Sequence, residues 1–230
     1  MEYVQGPVTL DSLRWRHQMN RYKKWQYQCI AKDMVEILNK KHYNAHYAEN
    51  LQEARKIVLD MIPEGSSIAL GGSVTISDMD LIETFRRGNY RLFDRYQPLP
   101  FPEIVEIMRQ SMLADVLVTG TNAITRAGEL VNLDSSGNRV AGMIFGPKKV
   151  IIIAGANKVV DSLEDAMKRL KRIAPLNAKR IKHQTPCTET GRCMNCQIQE
   201  RICNYMTVIS HGMKFEGRLT VIMVAEEAGL

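Results

Sequence analysis

The sequence predicts an α/β fold, a mostly parallel sheet with helices on both faces. Three observations predict it. Short β-branched runs, residues 116–119 and 150–154, are apolar without strict alternation, which is how a strand covered on both faces reads. Other segments carry apolar residues at helical spacing. The two kinds alternate along the chain, the order expected of parallel strands joined by crossover helices.

Residues 11–39 place Leu13, Met19, Tyr22, Trp25, Cys29, Met34, Val35 and Leu38 at helical spacing, so one or two amphipathic helices are expected. Trp15, Tyr22, Trp25 and Tyr27 suit either packing on the main domain or contact with a second subunit, a homo-oligomer. Cys29 reads as a small buried hydrophobe. The organisation is thus an N-terminal helical segment over residues 1–45 and a main domain over 46–230. Residues 47–61 put Leu51, Ala54, Ile57, Val58 and Met61 on one helical face, stopped by Pro63 and Gly65. The strand over 66–70 runs into Gly71, Gly72 and Ser73, and Ser77 with Asp80 resembles a capping box for a helix over 79–85.

Gly88 closes that helix, and residues 90–94 form the next strand, putting Asp94 and Arg95 at a carboxyl end. Residues 103–115 are helical, with Ile104, Ile107, Met108, Met112 and Leu113 placed to bury. Beyond the strand over 116–119 come a short strand over 129–134, a turn over 135–138 and a short helix over 139–145. The strand over 150–154 leads past Lys158 into a helix over 162–173 opened by Asp161 and Glu164. Its last turns are rich in Lys and Arg, which suit the negative end of a helix dipole. The apolar runs 206–209 and 218–224 are expected as edge strands around a Gly-containing turn.

The formal charge of +6 and pI near 9.1 favour anionic partners. The excess lies in two clusters, one of Arg14, Arg16, Arg21, Lys23 and Lys24, the other running from Lys168 to Lys182. Both read as solvated helix faces, and no nucleic-acid recognition motif accompanies them. With no apolar run near the roughly 20 residues of a membrane span and no leader pattern, a cytoplasmic protein without a membrane span is expected.

Ligand sites in open α/β sheets lie outside the carboxyl ends of the strands. Gly71, Gly72 and Ser73 occupy such an end, where freed amides hold an anion or the glycines simply allow close packing. Gly120, Thr121 and Asn122 occupy another, followed by the polar turn with Asp134, Gly137, Asn138 and Arg139. A small carboxylate or phosphate gripped by two bonds from Arg139 is one reading, and a turn held by its own Asx bonds is the other. Glu129 and Asp134 are the carboxylates able to shuttle protons or carry an acyl group. Cys187, Cys193, Cys196 and Cys203 fall within residues 185–204 with spacing C-x5-C-x2-C-x6-C. They suit a zinc ion or an iron–sulfur cluster, a redox pair at Cys193 and Cys196, or plain reduced thiols.

The strings ALGGSVT, TGTNAIT, GELVNLD and SSGNRVAGMIFGPKKVIIIAGANK, with the tail PC, TGRC-x-x-C and RICN, resemble the LUD-domain family, the lactate-utilisation proteins. The resemblance implies a three-layer, Rossmann-like α/β/α fold akin to sugar-phosphate isomerases and coenzyme A transferases. It also implies a ligand-binding motif on Gly71, Gly72, Ser73, Gly120, Thr121, Asn122, Asn132, Asp134, Gly137, Asn138 and Arg139. The ligand it implies is a small anionic metabolite, and the process is L-lactate oxidation to pyruvate, in some members beside iron–sulfur partner proteins. The chain lacks the repeated ferredoxin cysteine pattern, so a partner would complete any electron path. Two alternatives stand beside this: an isomerase or acyl-transferase using Glu129 or Asp134, and a metal- or thiol-dependent redox interaction module.

Overall fold

The computed structural model describes residues 10–230, with side chains from residue 20 onward. The expected roles of Leu13, Arg14, Trp15, Arg16 and Met19 lie outside the described side chains. Six parallel strands form the main sheet: β1 (Asn44–Ala48), β2 (Ser67–Leu70), β3 (Arg91–Phe93), β4 (Val116–Gly120), β7 (Lys149–Gly155) and β10 (Leu219–Val224). Their order is β1-β10-β7-β4-β2-β3. A smaller sheet of β5 (Ala123–Thr125), β6 (Leu130–Asp134), β8 (Val159–Val160) and β9 (Tyr205–Ile209) runs in the order β8-β5-β6-β9.

The unalternating apolar runs follow from a sheet buried on both faces. Along β7, Val150, Ile152 and Ala154 pack into one core with Ala31, Met34 and Leu38 of helix α1 (Leu10–Lys40). Ile151 and Ile153 pack into the other core, with Ala54 and Val58 of α2 (Leu51–Asp60). Two five-to-seven-residue helices, α3 (Val74–Asp78) and α4 (Leu81–Arg87), cover that second face with Ile76, Leu81 and Phe85. The remaining helices are α5 (Phe101–Gln110), α6 (Asn138–Ile144), α7 (Leu163–Arg180) and α8 (Pro186–Thr190). Among them α7 packs Ala166 and Leu170 on Ala123 and Val131 of the small sheet. Among the described residues no helix is long and apolar enough to cross a membrane.

Several local expectations are corrected. Residues 44–48 are strand, and the helix starts only at Leu51, where the Asn50 side chain accepts from the Glu53 amide at 2.9 Å. The capping box at Ser77 and Asp80 does not form. Ser77 lies inside α3, while Asp80 adopts a left-handed φ of 51° and caps α4 without a side-chain bond. Helix α7 continues through Pro175 to Arg180, past the expected end at Ile173. Cys29 is exposed.

The two C-terminal runs do not make a hairpin. Strand β10 sits between β1 and β7 with all six residues buried, whereas β9 pairs antiparallel with β6 and forms the outer edge of the small sheet. Both runs are apolar, so only burial on two faces separates a central strand from an edge strand. Tyr205, Met206 and Val208 of β9 remain exposed.

Ile152 is fully buried between the sheet and α1. Ile152→Ala should lower unfolding free energy by about 2–5 kcal/mol through lost burial and the cavity left behind, read from the urea midpoint at unchanged m-value.

Candidate functional site

The carboxyl ends of all six parallel strands share one edge. Strand order reverses between β2, whose sequence successor β3 lies to one side, and β4, which lies to the other. A cleft opens at this switch point, as expected for open α/β sheets. It holds about 170 Å³ and is walled by Gly72 and Ser73 after β2, Arg95 after β3, Gly120 to Asn122 at the end of β4, and Lys158 after β7. The turn residues Asp134, Ser135, Ser136, Asn138 and Arg139 complete it from below, with Asn177 and Arg180 of α7 and Ile202 opposite.

Arg139 organises the polar wall. Its Nε donates to Asp134 Oδ1 at 2.9 Å, and Nη2 donates to the same oxygen and to Asn122 Oδ1 at 2.8 Å. Nη1 donates to the Gly120 carbonyl at 2.8 Å and to Asn132 Oδ1 at 2.7 Å. These bonds match the five N–H groups of a guanidinium. The expected two-bond grip of Arg139 is therefore made on Asp134, inside the protein. Asp134 is occupied in return, since Oδ2 accepts the Val140 amide at 3.2 Å and the side chain is 6% exposed.

Asn122 Oδ1 also accepts the Leu133 amide at 2.9 Å, and Asn132 Oδ1 also accepts from Thr121 Oγ1 at 3.1 Å. The Asn132 amide nitrogen is buried without a partner.

The glycines act mainly by permitting approach. A Cβ on Gly71 would stand 2.2 Å from Thr119 Oγ1, and one on Gly120 would stand 2.9 Å from Ser73 Oγ. Gly72 faces open space in the cleft, and Gly137 takes a left-handed φ of 78° to enter α6. Glu129 lies elsewhere. Its carboxylate accepts from Thr125 Oγ1 at 2.8 Å at the β5–β6 turn, the far end of β6 from Asp134, so the two candidate carboxylates are not brought together.

Three cations in the cleft were not among the expected site residues: Lys158, Arg95 and Arg180. Lys158 is 4% exposed, and its Nζ reaches only the Thr75 hydroxyl at 3.4 Å. Among the described residues no carboxylate lies within ion-pair distance of it. Burial, then the charges of Arg169 and Arg139, push its pKa down to about 7, against a weak opposing pull from Asp78. Arg95 is half-buried against Tyr96, and burial lowers its pKa despite Tyr96 and Asp134 nearby. Its neighbour Asp94 is already engaged by Arg86 Nε at 2.7 Å and the Tyr96 amide at 2.9 Å. The visible signal for Lys158 was its place just beyond a strand end. No comparable pattern marked Arg180, which reads as one more cation of a basic helix end.

The cysteine segment forms a wall next to the cleft. Arg201 donates from Nε to the Cys203 carbonyl at 3.0 Å and from Nη1 to the Cys196 carbonyl at 2.5 Å, folding the loop on itself. Cys187 is buried with Ala178 and Ile202, Cys193 is exposed, and Cys196 and Cys203 are half-buried. Burial raises the Cys203 thiol pKa, and the other three thiols are near enough to add to that rise. Even so, among the described residues no three Cys, His, Asp or Glu side chains are arranged to hold a metal ion.

In comparisons with known proteins, the family model of the LUD domain matches residues 31–224. No curated protein matches the chain significantly. A solved structure of a DUF162 family protein from Deinococcus radiodurans is similar at 14% identity and a TM-score of 0.47, covering 87% of this chain and 98% of that one. Ribose 5-phosphate isomerase A from Neisseria gonorrhoeae shows 14% identity and a TM-score of 0.32, covering 58% of this chain and 65% of that one. The delta subunit of eIF2B from Chaetomium thermophilum shows 15% identity and a TM-score of 0.33, covering 49% of each chain.

Arg139→Lys should destabilise the fold by about 3–5 kcal/mol, because an ammonium with three N–H groups cannot make the five hydrogen bonds to four acceptors and Asp134 stays buried. Chemical denaturation reads this directly, and a loss below about 1 kcal/mol would contradict the clamp. Lys158 sets a pH dependence. The unfolded chain keeps its proton up to the usual 10.5, the folded chain only up to about 7. Between these values the unfolded state binds more protons, so this group makes stability rise with pH across that window. Lys158→Met should be the more stable protein at pH 7, and the gap to wild type should narrow as pH increases.

Proposed function

Because the chain belongs to the LUD-domain family, we propose that it binds a small anionic metabolite in the cleft and serves L-lactate oxidation to pyruvate as one component of a multi-protein system. The observation that carries the reading is uncompensated positive charge. Among the described residues Lys158 is buried with a hydroxyl as its only hydrogen-bond partner, and Arg95 and Arg180 face the same space. Burying a cation without a partner costs several kcal/mol, and an anion in the cleft offsets that cost.

Among the described side chains of the wall, Asp134 supplies a carboxylate, which Arg139 neutralises so that it does not repel such a ligand. Hydroxyl and amide groups of Ser73, Asn122 and Asn138 supply directional donors. The cleft is smaller than the roughly 300–1,000 Å³ typical of drug-sized ligands, which suits a molecule of a few carbons. Oxidation of a hydroxy acid releases two electrons, so the reading includes a redox partner that takes them. The exposed apolar edge of β9 is a surface on which such a partner would pack.

Calorimetry at low salt with L-lactate, pyruvate and inorganic phosphate tests the reading. At least one should bind. Arg95→Ala and Lys158→Met should each weaken that binding about tenfold or more, worth about 1.4 kcal/mol, while Glu129→Gln should not change it. Affinity should fall as pH rises through about 7, since the Lys158 ammonium that attracts the anion is then lost. Absence of heat and of any thermal shift with all three ligands would overturn the proposal.

A further inference from the structure

Lys158 differs from the other cations of the cleft in the chemistry open to it. Arg95 and Arg180 are guanidiniums, permanently charged and non-nucleophilic. Lys158 is a primary amine, 4% exposed at the cleft wall, with no carboxylate in ion-pair reach among the described residues and a single hydroxyl contact at 3.4 Å. Two guanidiniums lie close enough to disfavour its charged form. Arg139 is fixed by five hydrogen bonds, and Arg169, 7% exposed, is fixed by its bond to the Asn122 carbonyl at 2.9 Å. The Arg169 Nη2 is itself buried without a partner. A desolvated lysine held beside buried cations is the environment in which an amine stays unprotonated and attacks carbonyl carbon.

We propose that Lys158 is the nucleophile of a carbonyl-binding site and forms an imine with a small 2-oxo acid whose carboxylate is held by Arg95 and Arg180. This rests on the anion-binding reading above and adds to it the substrate class and the reacting atom. The amine lone pair attacks the carbonyl carbon to form a C–N bond. The carbonyl oxygen takes up two protons, one from the amine nitrogen and one from solvent, and leaves as water, so that the product is the protonated imine. No oxidant or reductant is consumed. The imine draws electrons from the neighbouring carbon, the general use of such an adduct.

The test is reductive trapping of the full chain with glyoxylate or pyruvate, the two smallest 2-oxo acids, and cyanoborohydride, followed by intact-mass and peptide mapping. One adduct on the Lys158 peptide is expected, forming at least about tenfold faster than on exposed lysines and slowed by inorganic phosphate. Lys158→Arg should lose it, while Lys214→Arg, on the exposed surface, should label as wild type does. Because the peptide map and the phosphate competition are read on wild-type protein, a poorly folded variant does not blunt the test. Phosphate binding by calorimetry without a Lys158 adduct would overturn the imine and leave the anion reading standing. Absence of an adduct together with absence of binding by L-lactate, pyruvate and phosphate alike would overturn both. Labelling spread evenly over surface lysines would also overturn the proposal.

Discussion

The ion pair of Arg139 with Asp134 is the constraint on which the polar half of this structure depends. Two buried strands, β4 and β6, end in a turn crowded with polar groups that water cannot fully reach. Desolvating one carboxylate and one guanidinium is unfavourable unless each lone pair and each N–H finds a partner. Here they do, and the same guanidinium also ties down Asn122, Asn132 and the Gly120 carbonyl. A network of this kind selects one arrangement, because a slip leaves further buried polar groups unpaired, beyond the Asn132 amide nitrogen that already lacks a partner. The clamp therefore fixes the positions of the cleft's donors without itself being free to bind.

This division of labour explains why the charge available to a ligand lies elsewhere. Lys158, Arg95 and Arg180 come from three different elements that meet only at the switch point of the main sheet. Close approach at that edge depends on small residues, since Cβ atoms on Gly71 and Gly120 would collide with Thr119 and Ser73. The result is a small space with several positive groups and, among the described side chains, one neutralised carboxylate. Electrostatics of that form favour anions over neutral or cationic molecules.

The C-terminal region contributes to the same place by a different route. The Asn204 amide donates to the Asp134 carbonyl at 3.0 Å, and its side-chain amide donates to the Ser135 carbonyl at 3.1 Å, stitching the cysteine segment to the clamp turn. Ile202 then closes the cleft from one side, with Cys187 and Cys203 packed behind it. Cys187 and Cys203 are thus part of the scaffold behind the site wall, whereas Cys193 is exposed.

What the sequence by itself determined is the class of fold and the neighbourhood of the site. Runs such as residues 150–154, apolar at every position, required burial on both faces, and the glycine-rich strand ends marked where a crevice would open. The stretch from Gly120 to Arg139 was legible as polar groups between buried strands, although its two readings, ligand site or self-bonded turn, stayed open. Tertiary structure decided how those roles divide: Arg139 and Asp134 satisfy each other, Glu129 sits at the far end of its strand, and Lys158 is a buried cation with no carboxylate in ion-pair reach among the described residues. It also decided that β10 is central and β9 an edge. The physical reason is the same in each case. Charge balance and burial depend on partners distant in the chain, and local spacing carries no record of which side chains will meet.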